Sequence, residues 1–297
     1  MRSLLARLAV LGAFAVSVSA CGGGSATSLP VAGPPNNNGG TVSIYQSGAN
    51  GTALVRFVQG SPDVGSVLFC IDQSSAYSAP SVAYKGTALF AVPGTLSHVI
   101  SVYAASAGPA CASAPGKING TAPIATTMIT TTLSTRTLVA LGGRAGSTLG
   151  LYVWTAPTFP VAPSAPQAIG YNDAPTFGAV GFGYQATAGA AVTTIAGLAS
   201  VNPPAKPATT TSATPTAAVT GALPAIPATF VDGKPATPIV PLGTYTVPAA
   251  LASPSTSAPG TPVIGQVYVP DLIAVDSAAA AKLDIVVIAE PTTGYGF

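Results

Sequence analysis

The chain has 297 residues, of which 48% are hydrophobic and only 6% are charged, with 10 Lys and Arg against 8 Asp and Glu. This nearly neutral composition offers no basic stripe for nucleic acid and no acidic tract for cations, so we expect no nucleic-acid partner. After residue 20, no uninterrupted apolar run approaches the roughly 18 residues that a membrane-spanning helix needs. The apolar residues are therefore expected to be buried in a fold.

Residues 1–20 have the pattern of a secretory signal peptide, because two arginines precede an apolar run, 8–18, that is too short to span a bilayer. The stretch 18-VSAC-21 resembles the bacterial lipobox, in which the cysteine is linked to diacylglycerol and its freed amine is acylated. An ordinary cleavage site beside a chance cysteine is the alternative. We predict a lipid on Cys21 that anchors the protein to the membrane of the bacterial envelope, with the outer membrane preferred by the same resemblance.

Residues 21–49 follow as a flexible tether. The segment is rich in Gly, Pro and Asn and has no hydrophobic periodicity. Residues 22–40 alone reach on the order of 25 Å as a flexible coil. The tether therefore separates the lipid on Cys21 from the folded part of the chain.

From Thr52 onward the sequence alternates short strand-like stretches with turn residues. The predicted strands of the first half are 52–59, 66–72, 87–92, 97–105, 126–133, 135–142 and 148–155. The second of these is apolar on both faces, as is typical of a buried sandwich strand. The fold class that we predict is all-β, with antiparallel β-sandwiches.

Cys70 and Cys111 remain once Cys21 is assigned to the lipid. An even pair of cysteines in an oxidising compartment favours a disulfide, worth about 4 kcal/mol for a loop of this length. A metal or redox pair is the alternative, but the spacing is not CxxC and no histidine lies nearby. We predict the disulfide Cys70–Cys111.

The sequence contains an internal repeat. The segment 60-GSPDVGSVLF-69 aligns with 173-DAPTFGAVGF-182, and weaker matches join 92–99 to 240–247 and 135–142 to 282–289. These matches predict two homologous units, 50–157 and 166–297, joined by a linker at 158–165. Within the second unit, the Pro, Thr and Ala bias of 203–228 predicts an extended surface loop. A short helical turn is predicted at 276–282.

The opening VRFVQGSPDVGSVLFCID resembles the bacterial domain-of-unknown-function family 4397, whose usual opening is close to RFVHASPDAPAVDVYVDG, followed by a VPAGTYTVxV strand. The residues of the first unit that match are Arg56, Phe57, Val58, Ser61, Pro62, Asp63, Val67 and Asp72. The second unit keeps Asn172, Ala174, Pro175, Val180 and the GTYTV block at 243–247. The resemblance implies two immunoglobulin-like sandwiches on a secreted or surface protein and implies no activity; the cysteine pair departs from the usual pattern.

Candidate catalytic residues are few. The only histidine, His98, alternates with apolar residues, which favours a structural histidine over a catalytic base. The eight acids are scattered in sequence; an Asp that accepts backbone hydrogen bonds in a turn is the ordinary interpretation of Asp63, and a calcium ion between this turn and Asp72 is the alternative. We therefore predict no catalytic residue, no metal site and no cofactor.

Aromatic residues are the remaining signal for binding. Stacking on sugars and half-burial in a sheet are both compatible with the strand aromatics Tyr152, Trp154 and Tyr268 and the terminal Tyr295 and Phe297. We expect a non-enzymatic structural, adhesive or ligand-binding envelope protein whose partner is a cell-surface or matrix polymer or another envelope protein. An envelope hydrolase with an unrecognised site and an outer-membrane barrel component are the alternatives.

Overall fold

The computed structural model describes residues 52–74, 81–94, 96–108, 111, 116–132, 136–156, 167–205, 213–224, 227–247 and 268–291. The strands of the first half are β1 (Thr52–Gln59), β2 (Val67–Ile71), β3 (Thr87–Pro93), β4 (Ser97–Ala104), β5 (Ala125–Thr130), β6 (Arg136–Gly142) and β7 (Gly150–Thr155). The later strands are β8 (Gln167–Asp173), β9 (Gly181–Gln185), β10 (Thr193–Thr194), β11 (Thr216–Ala217), β12 (Val219–Ala222), β13 (Thr229–Lys234), β14 (Val240–Thr246), β15 (Tyr268–Asp276) and β16 (Leu283–Pro291). Among the described residues, no helix is long and apolar enough to cross a bilayer.

The prediction of an all-β sandwich fold is confirmed, and each strand predicted for the first half is present within a few residues. Strands β1 to β7 form two facing sheets, ordered β3-β1-β6-β7 and β2-β4-β5. Neighbouring strands are antiparallel, except that β1 and β6 run parallel and pair Phe57 with Val139. The apolar residues that alternate along these strands, such as Val55, Phe57 and Phe69, meet in a buried core between the two sheets.

The second half repeats this strand order. Its sheets are ordered β12-β8-β15-β16 and β10-β9-β13-β14, and β8 runs parallel to β15 as β1 does to β6. By position, β8, β9, β12, β13, β14, β15 and β16 therefore correspond to β1 through β7. A second core, which includes Phe182, Phe230 and Tyr245, lies between these two sheets.

This correspondence corrects two of the three sequence matches. The match of 60–69 with 173–182 is sound, because both segments lead into the second strand of their half. The segment 135–142 contains β6, whereas 282–289 lies in β16, the counterpart of β7, and 240–247 contains β14, the counterpart of β5. The short apolar sequences of buried strands resemble one another, so these two weaker matches were wrong: each joined strands that do not correspond in the two halves.

The two sandwiches are stacked to give four layers of sheet. A third buried core, here called the seam, joins the outer face of β1-β6-β7 to that of β8-β15-β16. In β1, Val55 and Phe57 point into the first sandwich and Val58 points into the seam; in β15, Leu272 lies in the second sandwich and Ile273 in the seam. Sheets buried on both faces need apolar residues at nearly every position, and β6 and β7 have this composition.

The Pro, Thr and Ala-rich insertion is not wholly a surface loop, which corrects the prediction for 203–228. Within it, β11 pairs with β7 of the first sandwich and β12 pairs with β8. The amide of Ala213 donates to the carbonyl of Met128 on β5 at 2.8 Å, and Ala213 is buried. The described part of the insertion therefore covers strand edges of the first sandwich before it returns to the second.

A disulfide joins Cys70 on β2 to Cys111, whose Cα atoms are 5.6 Å apart, as the sequence predicted. It fixes the segment after β4 over the outer face of the sheet, where Leu68, Tyr103 and Ile118 are buried together with the two cysteines. This explains why β2 is apolar on both faces. The helical turn predicted at 276–282 is wrong: the segment 277–282 is a hairpin loop between β15 and β16, closed by the Ser277 amide donating to the Lys282 carbonyl.

Several predictions fall outside the described residues. These are the signal peptide 1–20, the lipid on Cys21, the tether 21–49, the linker 158–165, and Tyr295 and Phe297. The boundaries of the units, 50–157 and 166–297, likewise stay predictions.

Candidate functional site

The single histidine is part of the first sandwich. His98 is 3% exposed, and its Nδ1 lies 2.7 Å from Oδ2 of Asp72 while its Nε2 lies 3.1 Å from the carbonyl oxygen of Pro93. The other oxygen of Asp72 accepts from the Val99 amide at 2.8 Å. Both ring nitrogens thus face acceptor atoms, so His98 links the turn after β2 to β4 and the end of β3.

Asp63 and Asp72 contact different residues and do not form a shared site. Asp63 forms an ion pair with Arg144 at 3.0 Å and accepts from the Ala145 amide at 3.1 Å, whereas Asp72 holds His98. The calcium site considered between the two acids therefore has no support. In the part of the chain that the structure describes, no group of three or more His, Cys, Asp or Glu side chains is placed so that it could hold a metal ion.

The structure instead gathers acids that the sequence had left scattered. Asp63, Asp173, Asp276 and Asp284 come from the turn after β1, the end of β8, the end of β15 and the start of β16. They meet at one end of the seam, here called the seam mouth. Sequence separation hid this group, because only the stacking of the two sandwiches brings the four segments together.

Hydrogen bonds join the two sandwiches at the seam mouth. Arg144 of the first sandwich donates to Asp63 and to the carbonyl of Ser277 in the second. The Tyr84 hydroxyl lies 2.7 Å from the carbonyl oxygen of Asp276 and 2.8 Å from Oδ2 of Asp284. Lys85 adds an ion pair with Asp284 at 3.6 Å. These contacts join loops of both halves, so the polar residues of the mouth help to hold the two sandwiches together.

The turns that line the mouth are built in the same way in both halves. The Gln59 side chain accepts from the Ser61 amide at 3.0 Å and donates to the Val64 carbonyl at 2.9 Å. The Asn172 side chain, at the corresponding position, accepts from the Ala174 amide at 3.0 Å and donates to the turn that follows. An amide side chain that ends the first strand thus fixes the turn after it, and in each half this residue stands directly before the matched segment, 60–69 or 173–182.

Asp173 is the most unusual residue of the mouth. It is fully buried, and neither of its carboxylate oxygens has a hydrogen-bond partner among the described residues. A β-carbon on Gly142 would lie 2.0 Å from its Oδ1, and one on Gly60 would lie 2.1 Å from its Oδ2. The carboxyl of the second sandwich therefore fills a slot that two glycines leave open in the first.

Burial sets the ionisation of this region. Burial, followed by the charge of Asp276, raises the pKa of Asp173 well above its usual range. Burial also raises the pKa of Asp276, although its hydrogen bond with Thr176 and the charge of Arg144 act against the shift. Burial is the main cause that raises the pKa of Tyr152, and ionised forms of Asp173 and Asp276 would raise it further. A protonated Asp173 is the form that fits this slot, because an unpaired buried charge is costly.

The opposite end of the seam holds an ion pair. Arg136 of β6 donates to Oδ1 of Asp271 on β15 at 3.0 Å and to the Tyr171 hydroxyl at 3.2 Å, and all three side chains are buried. Burial raises the pKa of Asp271, whereas the guanidinium groups of Arg136 and Arg56 act against that shift. The seam thus has polar contacts at both ends and apolar packing between them.

Two of the aromatic residues singled out in the sequence lie between these ends. Trp154 and Tyr152 are each 1% exposed, and the ring centroid of Trp154 lies 5.9 Å from that of Tyr171 across the seam. They are packing residues, so sugar stacking on either of them is ruled out in this fold. The side chain of Tyr268 is outside the described part.

No protein-family model matches the chain, and no curated protein matches it. The arrangement of residues described above is therefore the basis for the proposal that follows.

Proposed function

We propose that this chain is a lipid-anchored protein of the bacterial envelope with a non-enzymatic role, in which two immunoglobulin-like sandwiches serve as one rigid binding body. The seam is the observation that carries the proposal. A shared core with an ion pair at one end and a packed acid cluster at the other makes the two sandwiches move together. Rigid bodies on flexible tethers suit structural, adhesive or ligand-binding roles.

The use of the ionisable residues supports a role without catalysis. A general base must reach its substrate, yet both nitrogens of the buried His98 already face protein acceptors. Asp173 is buried between the sandwiches, and Asp63 is engaged by Arg144. Contacts with a partner are therefore expected from loops, and the partner that we propose is a cell-surface or matrix polymer or another envelope protein.

Anchoring is tested by metabolic labelling with an alkyne analogue of palmitate, followed by membrane fractionation. The parent protein should carry the label and sediment with membranes. Cys21→Ala should lose the label and become soluble, whereas the nearby control Ser25→Ala should behave as the parent does. Label that persists in Cys21→Ala would overturn the anchoring.

The non-enzymatic role is tested by complementation of a strain that lacks the protein. Asp63→Asn and His98→Gln remove the two ionisable groups that are the best candidates for a catalytic role. Variants that remain folded, judged by the fluorescence of Trp154, should restore the parental envelope phenotype in full. A folded variant that fails to restore it would favour an envelope enzyme.

A further inference from the structure

Loops from both sandwiches line an open pocket of about 460 Å³ at the seam mouth. Its lining residues are Arg144, Thr176, Phe177, Ala278, Ala280 and Ala281. Arg144 belongs to the first sandwich and the other five belong to the second. Pockets of this volume suit small molecules, and boundaries between packed units are a common place for them.

The chemistry of the lining is mostly apolar. The ring of Phe177 and three alanine methyl groups supply the apolar surface, and the Thr176 hydroxyl is already bonded to Asp276. Arg144 is the one charged lining residue, and Asp63 balances its charge at 3.0 Å. The described contacts of its guanidinium use two of the five N–H groups, one with Asp63 and one with Ser277. The pocket thus offers an apolar wall and hydrogen-bond donors without a net charge.

One lining residue has an unfavourable backbone conformation. Ala281 has a φ of 56°, in the left-handed region where a β-carbon is penalised and glycine is preferred. Its neighbours in the loop, Ala278 and Ala280, are not at positive φ. The chain therefore carries a methyl group on the pocket wall at a position where glycine would relieve strain, and such strained residues are found preferentially at functional sites.

We propose that this pocket binds a small, uncharged, largely apolar molecule, with an aromatic body against Phe177 and the alanine methyl groups and a hydrogen-bond acceptor toward Arg144. The proposal rests on the proposed function, since it assigns a ligand class to a non-enzymatic binding body. An anionic ligand would have to compete with Asp63 for Arg144 and would approach Asp276, whereas a cation would meet the guanidinium. A neutral acceptor avoids both penalties.

The test is a fluorine NMR titration of the purified protein with 4-fluorobenzamide, using 4-fluorobenzoate and 4-fluorobenzylamine as charged comparators. The neutral probe should bind saturably and at least fivefold more tightly than either charged probe. Phe177→Ala should weaken its binding at least fivefold. The control Leu96→Ala, which removes a side chain that is 52% exposed on the far side of the first sandwich, should leave binding unchanged.

Ala281→Gly gives a readout that a merely structural role would not produce. It should weaken binding of the neutral probe at least threefold while raising the urea midpoint of unfolding, because it removes both the methyl group and the strain. Absence of saturable binding, binding unaffected by Phe177→Ala, or tighter binding of a charged probe would overturn the proposal. These outcomes are independent of palmitate labelling at Cys21, so a failed pocket and a failed anchor are distinguishable.

Discussion

Gly142→Ala tests whether the slot for Asp173 holds the two sandwiches together. The added β-carbon would lie 2.0 Å from Oδ1 and 2.5 Å from Cγ of Asp173, whose side chain is fully buried. Gly142 is not at positive φ, so backbone strain does not contribute. Overpacking of this kind costs about 3 kcal/mol, and we expect that loss in the free energy of unfolding.

A double-mutant cycle assigns the loss to Asp173. Asp173→Ala empties the slot, so the same Gly142→Ala change should cost little in that background, with a coupling energy of about 2 kcal/mol. The control Gly65→Ala adds a β-carbon that meets nothing within 4 Å and should change stability by less than about 0.5 kcal/mol.

Urea unfolding followed by Trp154 fluorescence is the assay, because this residue is the only tryptophan and lies buried in the seam. Its emission reports separation of the two sandwiches directly. The packing of Asp173 against the first sandwich would be refuted if Gly142→Ala were as mild as Gly65→Ala. It would also be refuted if the two single effects simply added.

Three further predictions concern the buried polar groups and the disulfide. Burial raises the pKa of Asp232 to about 8 from 3.8, so the folded state holds an extra proton and its stability falls as the pH rises from about 4 to 8. Relative to the parent, Asp232→Asn should therefore gain ~5 kcal/mol in the free energy of unfolding between pH 4 and pH 8, measured by urea unfolding, and a difference that does not change with pH would contradict this. Arg136→Met leaves Asp271 buried without its partner at 3.0 Å and should lower the free energy of unfolding by about 3 kcal/mol. An unchanged melting temperature would show that the ion pair does not stabilise the seam. Replacing Cys70 and Cys111 together by Ser should lower the free energy of unfolding by about 4 kcal/mol relative to the oxidised parent. The parent should lose a similar amount when its disulfide is fully reduced, and a parent whose stability does not change on reduction would contradict that value.

The sequence predicted the strands because their signals are local. Alternating Val, Phe and Ile residues bounded by Gly, Pro and Asp define strands such as β1 and β2 whatever they pack against. The pairing of Cys70 with Cys111 also followed from the sequence, since an even number of remaining cysteines left one partner. The repeat was visible at 60–69 and 173–182, where the turn imposes a specific pattern, but not in the interchangeable strands that follow.

The seam and its mouth were decided by the tertiary structure. Asp63, Asp173, Asp276 and Asp284 are far apart along the chain, and nothing local signals that stacked sheets bring them together. The path of the insertion over β5 and β7 was hidden for the same reason, because its Pro, Thr and Ala composition describes a loop and not the strand edges that it meets. Apolar residues at consecutive positions of β1 and β15 show that both faces of these strands are apolar. Which face packs inside a sandwich and which forms the seam depends on partners that are distant in sequence. Local patterns therefore determined the elements of this protein, and long-range packing alone determined the buried contacts between them.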